Sequence, residues 1–400
     1  MTAFDLERLL YPLDPQGFRN TYWEKRPLCL ERNNADYYAA LFSLKEFDRL
    51  LSQSRIRQDD IRILSSGKEI SIDSLKDSGH NGSVGALEHL YAYYRDGCSI
   101  AVDSIGRYTP ALAGFCRRLA PAFSARVQIN SYLSPPSSQG LSTHYDTHDV
   151  FVLQIWGTKH WTLHEGGFDL PLLQQAWRRT NEPGRVVDDF DLQRGDLLYL
   201  PRGCVHTATS NSNASLHLTV GIHLVSWAMV MNGILQTAIK NDRRFRESLP
   251  LGFDREETAR QSATARLREL LVCLVDQVDA AVVIDDAAEA ARRGTPPALD
   301  GHLTDLVAAS SIDEFTKLRR RPGIDCRLTE DDEQIYLRFH GKEIKLPVHV
   351  APALRMMAAG DCFSLADLPG ELHEADRLVL AKSLFTEGFL TFAHSRGLSS

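Results

Sequence analysis

The sequence predicts an α+β protein organised around a β-sandwich or jelly-roll core. Three observations carry that reading. Between residues 99 and 225, short strand-like runs alternate with turn residues, the pattern of an antiparallel fold that can hold a ligand between its sheets. From Trp227 the strands stop and helical spacing takes over, most clearly at Leu267, Leu270, Leu271, Leu274, Val278 and Val282. Near the C-terminus, Ile335 to Phe339, His340-Gly341 and Lys342 to Leu346 alternate as a hairpin does.

Bulk properties narrow the function. The chain has 400 residues, 43% of them hydrophobic, enough for two or three packed domains. A formal net charge of −7 argues against a chain that coats nucleic acid and is compatible with a basic protein or peptide as partner. Seven scattered cysteines without a C-x-x-C read as reduced thiols, not as a disulfide framework or zinc ribbon. The first residues lack the basic and apolar regions of a signal peptide, and no apolar run approaches the roughly 20 residues of a membrane span. A cytoplasmic protein is expected.

In chain order, residues 1–95 form an α/β segment expected to pack on the core. Phe18 to Leu28 reads as an amphipathic helix ended by Pro27. Ser43 is placed to cap a helix, with Glu46 three residues on. Ile56 to Ile63 and Lys68 to Ile72 read as strands, and Gly85 to Tyr94 as a helix. In the core, residues 96–225, strands are expected at Val127–Tyr132, Val150–Ile155, Lys159–Leu163, Arg185–Asp188, Asp196–Leu200, Val205–Thr209 and Ser215–Leu224. Residues 226–297 hold helices at Trp227–Lys240 and Arg260–Asp285, which lack a closed core of their own. They would pack on the β domain or on another subunit, and Arg292 to Pro297 marks a boundary. In residues 298–400, helices at Ala351–Ala359 and Glu374–Leu384 join the hairpin and a returning strand at Gly388–Phe392. That set fits a winged-helix domain. Glu374, Asp376, Arg377 and Lys382 balance one another, so no basic recognition helix is presented and direct nucleic-acid binding is not expected.

The chemistry concentrates between Leu141 and Thr219. His144 and Asp146, two apart on a strand, point to one side of the sheet. Gly195-x5-Pro201-x-Gly203-x2-His206 has the spacing of the second cupin motif, in which a tight Pro/Gly turn between strands aims a histidine into a barrel. Two imidazoles and one carboxylate make a facial triad suited to Fe(II), with positions open for substrate and oxygen. The Asn expected after that His is displaced, with Asn211 the nearest. His148 shares the strand face of His144 and Asp146 if the strand stays regular, and is read as a substrate-side or structural residue. His160 and His164 take a structural reading, and His217, beside Thr219, lines the cavity. Lys159 follows the H-x-D pair in an apolar stretch. One reading makes it the cation for the far carboxylate of a 2-oxoglutarate co-substrate, and the other makes it a solvated strand lysine.

Together, Asn130-x-Tyr132, Pro135-Pro136, His144-Tyr145-Asp146-x-His148-Asp149-Val150-Phe151-x-Leu153-Gln154 and Gly157-x-Lys159-x-Trp161 resemble the JmjC-type ribosomal oxygenases. Phe18-x3-Tyr22-Trp23-Glu24-Lys25-x-Pro27-Leu28 is similar to that family's N-terminal signature. These are cupin-superfamily protein hydroxylases dependent on Fe(II) and 2-oxoglutarate. The resemblance implies a double-stranded β-helix core, a helical dimerisation region at 226–297 and a C-terminal winged-helix domain. By match, His144, Asp146 and His206 are the iron ligands and Lys159 holds the distal carboxylate. Asn130, Tyr132 and Thr219 line the co-substrate pocket, and His217 lies near the substrate. JmjC members do not depend on the displaced Asn. The implied reaction uses Fe(II), 2-oxoglutarate and O2 to hydroxylate a protein side chain, Arg or His of a ribosomal protein in the relatives, and the implied assembly is a homodimer. Demethylation of N-methyl-lysine belongs to JmjC chemistry too, although the layout resembles the hydroxylases more. A peptide or small-molecule tailoring oxygenase and a metal-sensing, DNA-binding cupin regulator are the competing readings. Balanced charge in the C-terminal unit and the presence of Lys159 count against the regulator.

Overall fold

Alternation along two long strands decides what faces the barrel interior and what faces the helices. The computed structural model describes residues 4–53, 56–70, 84–178, 182–293 and 298–393. Its core strands are β1 (Leu28–Leu30), β2 (Ile61–Ser65), β3 (Lys68–Ile70), β4 (Ser99–Val102), β5 (Arg126–Ser134) and β6 (Asp149–Trp156). They continue with β7 (Lys159–His164), β8 (Val186–Leu192), β9 (Leu197–Leu200), β10 (Val205–Ser210) and β11 (Ser215–His223). One sheet runs β1-β9-β6-β11-β5-β4-β2-β3 and a second runs β10-β7-β8, all pairs antiparallel.

On β11, Leu216, Leu218, Val220 and Ile222 join the main hydrophobic core. The intervening Ser215, His217, Thr219, Gly221 and His223 therefore face the other way, between the two sheets. β5 pairs with β11 in register, setting Ser134 against Ser215, Tyr132 against His217 and Asn130 against Thr219. A polar inner row thus faces a second, smaller cluster of Val150, Val152, Trp161, Leu163, Leu192, Leu198 and Leu200.

The outer face of the large sheet is covered from two directions. The helix Pro110–Phe123 buries Leu112, Phe115, Cys116 and Leu119. Phe18, on the helix Pro15–Thr21, packs edge-on to Tyr199 at 4.9 Å, and Trp23 stacks on Tyr199 and Phe123. The aromatic N-terminal signature is therefore the lid of the sheet. Its helix stops at Thr21, well short of Leu28, because Leu28 to Leu30 leave to pair with β9.

Several other expectations change. The core region, where strands alone are expected, also contains the helix Pro110–Phe123, N-capped by Thr109, whose side chain accepts from the Leu112 N–H at 3.1 Å. The strand expected from Ile56 starts at Ile61, after a 3-10 turn at Gln58–Asp60. The long helix expected over Arg260–Asp285 is two helices, Glu257–Asp276 and Ala280–Arg293. Asp279 re-caps the second through the N–H groups of Ala281 and Val282. Ser43 caps as expected, accepting from the Glu46 N–H at 3.1 Å. The end of the Lys68–Ile72 run and residues 294–297 of the expected boundary lie outside the described residues.

Beyond the β core, the strands Gln334–Phe339 and Lys342–Pro347 form the expected hairpin, joined by Cys326–Glu330 on the free side of the first. With the helices Ala351–Ala359 and Glu374–Thr386 they enclose a core of their own around Leu337, Leu354, Phe363, Phe385 and Phe389.

Leu218 is fully buried at the centre of β11. Leu218→Ala is expected to lower the unfolding free energy by about 2–5 kcal/mol. A thermal or denaturant melt checks this, and an unchanged midpoint would mean that this face is not core.

Candidate active site

His144 does not sit on a regular strand. It forms an isolated antiparallel bridge with His206 at the start of β10, each backbone N–H donating to the other's carbonyl at 3.1 and 2.8 Å. This bridge, rather than strand alternation, brings the three expected ligands together. The imidazole rings of His144 and His206 lie 4.5 Å apart. One donor atom from each of His144, Asp146 and His206 falls within 4.8 Å of the others. His144 Nδ1 lies 2.7 Å from the Ser142 carbonyl, and His206 Nδ1 lies 2.9 Å from the Cys204 carbonyl. A ring N–H donating to each carbonyl leaves both Nε2 lone pairs free towards the Asp146 carboxylate, 4.0 and 3.8 Å away.

The electrostatics suit a cation. Burial, then the neighbouring His144, holds His206 well below its ordinary value, so its ring is neutral. At Asp146 burial pushes the carboxyl up, but His144, His206, His148 and His223 together hold it below the usual range. Two imidazoles and a carboxylate are the donor set a divalent first-row metal takes up.

The cupin-like turn is built by glycine. Gly203 has φ +87°, and a Cβ there would stand 1.9 Å from the Phe168 carbonyl oxygen. Its N–H donates to the Asp146 carbonyl at 2.9 Å, tying the turn to the first half of the site.

Lys159 lies deeper, on β7, and is only 2% exposed. Alternation places Lys159, Trp161 and Leu163 inward and His160, Thr162 and His164 outward, so the solvated-lysine reading fails. Its Nζ donates to Ser134 Oγ at 2.8 Å. Among the described residues it has no carboxylate partner, and burial alone lowers it to about 8. His217 stacks on Tyr132 with ring centroids 5.1 Å apart. Burial, then the nearby Lys159, holds His217 well below its ordinary value. Its Nδ1 and the Trp161 indole N–H are buried without partners. A cavity of about 100 Å³ is lined by Lys159, Ser134, Tyr132, Asn130, Thr219 and His217 together with the His144, Asp146 and His206 group. A buried ammonium with one hydroxyl partner and orphaned polar atoms is the environment an anionic guest would complete.

Other candidates take different places. Asn130 Oδ1 accepts from the Ser104 N–H at 2.9 Å and from Gln128 at 3.2 Å. Tyr132 OH accepts from Arg62 at 3.1 Å. His148 lines the cavity but leaves the strand face of Asp146, because Thr147 and His148 form a bend; its ring stacks on His223. Burial lowers His148, and burial with His148 lowers His223 to about 3. His160 sits outside between Asp189 and Asp191, at 2.7 and 2.8 Å, and its bond to Asp191 raises it. Sequence reasoning missed Ser134, Trp161 and His223. Period-two counting from Tyr132, Lys159 and His217 reaches all three.

The fold and this geometry agree with the comparisons. A JmjC domain model matches residues 107–230. Ribosomal oxygenase 1 of Danio rerio is 28% identical over 96% of this chain and 78% of its own length. The NO66 protein of Drosophila grimshawi, a bifunctional lysine-specific demethylase and histidyl-hydroxylase, is 34% identical over 62% of this chain. The chain carries a JmjC domain and is similar to the ribosomal oxygenases over nearly its whole length. It spans 35% of the length of that Drosophila protein. In fold, this JmjC protein matches Escherichia coli YcfD, a ribosomal oxygenase, with a TM-score of 0.54 at 19% identity, over 95% of this chain and 98% of the other. A YcfD structure holding cobalt and 2-oxoglutarate matches with a TM-score of 0.53 at 18% identity.

Lys159 gives a pH test with a definite sign. Its folded value of about 8 lies below the ordinary 10.5, so the unfolded chain binds the extra proton between them. Burying the charge penalises the ligand-free fold fully below about 8, and the penalty fades as pH rises towards 10.5. Lys159→Met is therefore expected to stabilise the ligand-free protein at neutral pH by on the order of 3 kcal/mol, with the gap to wild type closing across that window. Melts recorded as a function of pH check it, and a gap that is absent or independent of pH contradicts it.

Proposed function

We propose that this protein is an Fe(II)- and 2-oxoglutarate-dependent oxygenase that hydroxylates a protein side chain, with Arg or His of a ribosomal protein as target. The observation that carries the reading is Lys159, a buried ammonium without an acid partner among the described residues, on the barrel wall of the cavity that also holds His144, Asp146 and His206.

The donor set fits iron, and the lysine fits the free end of a dicarboxylate. His144, Asp146 and His206 hold the metal. Lys159 and the Ser134 hydroxyl bind the distal carboxylate of 2-oxoglutarate, with Asn130, Tyr132 and Thr219 shaping the walls around it. Bound iron with 2-oxoglutarate and O2 supplies the oxidation that turns a C–H bond into C–OH, releasing succinate and carbon dioxide. The chain's own part is placement. The Ser142 and Cys204 carbonyls fix the imidazole tautomers, and the inward aliphatic residues Val150 and Val152 keep the interior dry. His217 and His148 stand on the substrate side. The names of the relatives, ribosomal oxygenase and histidyl-hydroxylase, support a ribosomal protein as partner.

The protein acts as a cytoplasmic homodimer in this reading. Helices within 226–297 expose Trp227, Met229, Met231, Leu267, Leu271, Val272 and Val275, an apolar surface that a second copy would cover. Residues 298–400 are read as a winged-helix unit without direct nucleic-acid binding. Among the described residues no helix is long and apolar enough to cross a membrane.

Conversion of 2-oxoglutarate to succinate with Fe(II) tests the reaction. Wild type is expected to turn over. His206→Ala is expected to lose activity, and Lys159→Ala to need roughly 10- to 100-fold more co-substrate, as loss of a hydrogen bond to a charged group implies. No turnover and no 2-oxoglutarate binding by wild type would refute the reading. Mass spectrometry of ribosomal proteins with and without the gene should show a one-oxygen gain on Arg or His; an unchanged set would favour a tailoring oxygenase. Solution scattering is expected to give a dimer mass, and a monomer would refute the assembly.

A further inference from the structure

The Asp146 carboxylate has no hydrogen-bond donor among the described residues; the His144 and His206 Nε2 atoms stand 4.0 and 3.8 Å from it. Its orientation must therefore come from the backbone on either side. Upstream and across, the Gly203 N–H holds the Asp146 carbonyl. Downstream, Thr147 and His148 form a bend before β6 pairs with β11 from Asp149 onward.

At that bend sits the His148 ring. It lies over Gly221, where a Cβ would come within 2.8 Å of both Cδ2 and Nε2. Gly221 stands mid-strand, between Gln128 on β5 and Val150 on β6. Its φ lies outside the left-handed region, so no backbone conformation there calls for glycine. Close approach of the ring does. The His223 ring stacks on His148 with centroids 4.5 Å apart and planes 20° from parallel, so His148 is wedged between strand backbone and a second imidazole.

We infer that His148 and His223, seated on Gly221, are positioning residues that aim the Asp146 carboxylate at the metal. The inference rests on the reading of Asp146 as a ligand. It assigns His148 to ligand geometry rather than to ligation, and brings His223 into the site.

Equilibrium titration of the metal-free, full-length protein with Co(II), followed by its visible d–d absorption, tests it without turnover. Wild type is expected to bind Co(II). His223→Ala should bind it roughly 10- to 100-fold more weakly, the usual loss when a group that orients a metal ligand is removed, and with an altered spectrum. His223→Phe keeps a ring to stack on His148 and should restore affinity and spectrum. Gly221→Val should behave like His223→Ala, and circular dichroism melts check that each variant is folded. If Gly221→Val does not fold, the Ala and Phe pair decides alone. Wild-type affinity and spectrum in His223→Ala, or no rescue by His223→Phe, would overturn the inference and leave the iron reading standing. A wild type that binds no Co(II) would overturn both.

Discussion

A lysine ammonium sealed inside a β barrel is unfavourable unless an anion joins it, and at Lys159 the described residues supply the Ser134 hydroxyl and no carboxylate. That constraint organises the molecule. The inner row of β5 and β11 is polar because it must line a charged cavity, while the outer row is mostly aliphatic because it must carry the helices. Shifting β11 by one residue would bury its polar row against the helices and put Leu216 and Leu218 in the cavity. The register is therefore pinned from both sides.

The helical cover and the site are linked through the same strands. Phe18, Trp23 and Phe115 seal the outer face of the large sheet, and the inner face of that sheet carries His217, Thr219, Asn130 and Tyr132. The three candidate ligands are held otherwise, by a two-residue bridge between irregular backbone and β10 and by a glycine turn that approaches too closely for any side chain. His144 and Asp146 are partly exposed while Lys159 is buried, so in the proposed function the metal end is the one that meets a protein substrate.

Much of this is legible in the sequence, for stated physical reasons. The Gly195–Pro201–Gly203–His206 spacing encodes a turn that only glycine can make, so it identifies its histidine. Lys159 was ambiguous because sequence gives its alternation but not which face is buried; Trp161 and Leu163, on its side of β7, settle that in the fold. Helix Pro110–Phe123 went unread although Thr109 and Pro110 are a good start signal, because strands flank it closely. The break after Asp276 was hidden because Leu274, Val278 and Val282 keep helical spacing across it, while Asp279 restarts the helix. The bridge from His144 to His206 joins residues far apart in sequence, and no local pattern encodes it.

In the proposed function Lys159 binds the distal carboxylate of 2-oxoglutarate. Calorimetry on protein loaded with a redox-inert divalent metal can compare 2-oxoglutarate with 2-oxobutyrate, which lacks that carboxylate, in wild type and in Lys159→Met. A strong preference for 2-oxoglutarate is expected in wild type and should disappear in the variant. An equal preference in both proteins, or none in wild type, would contradict it.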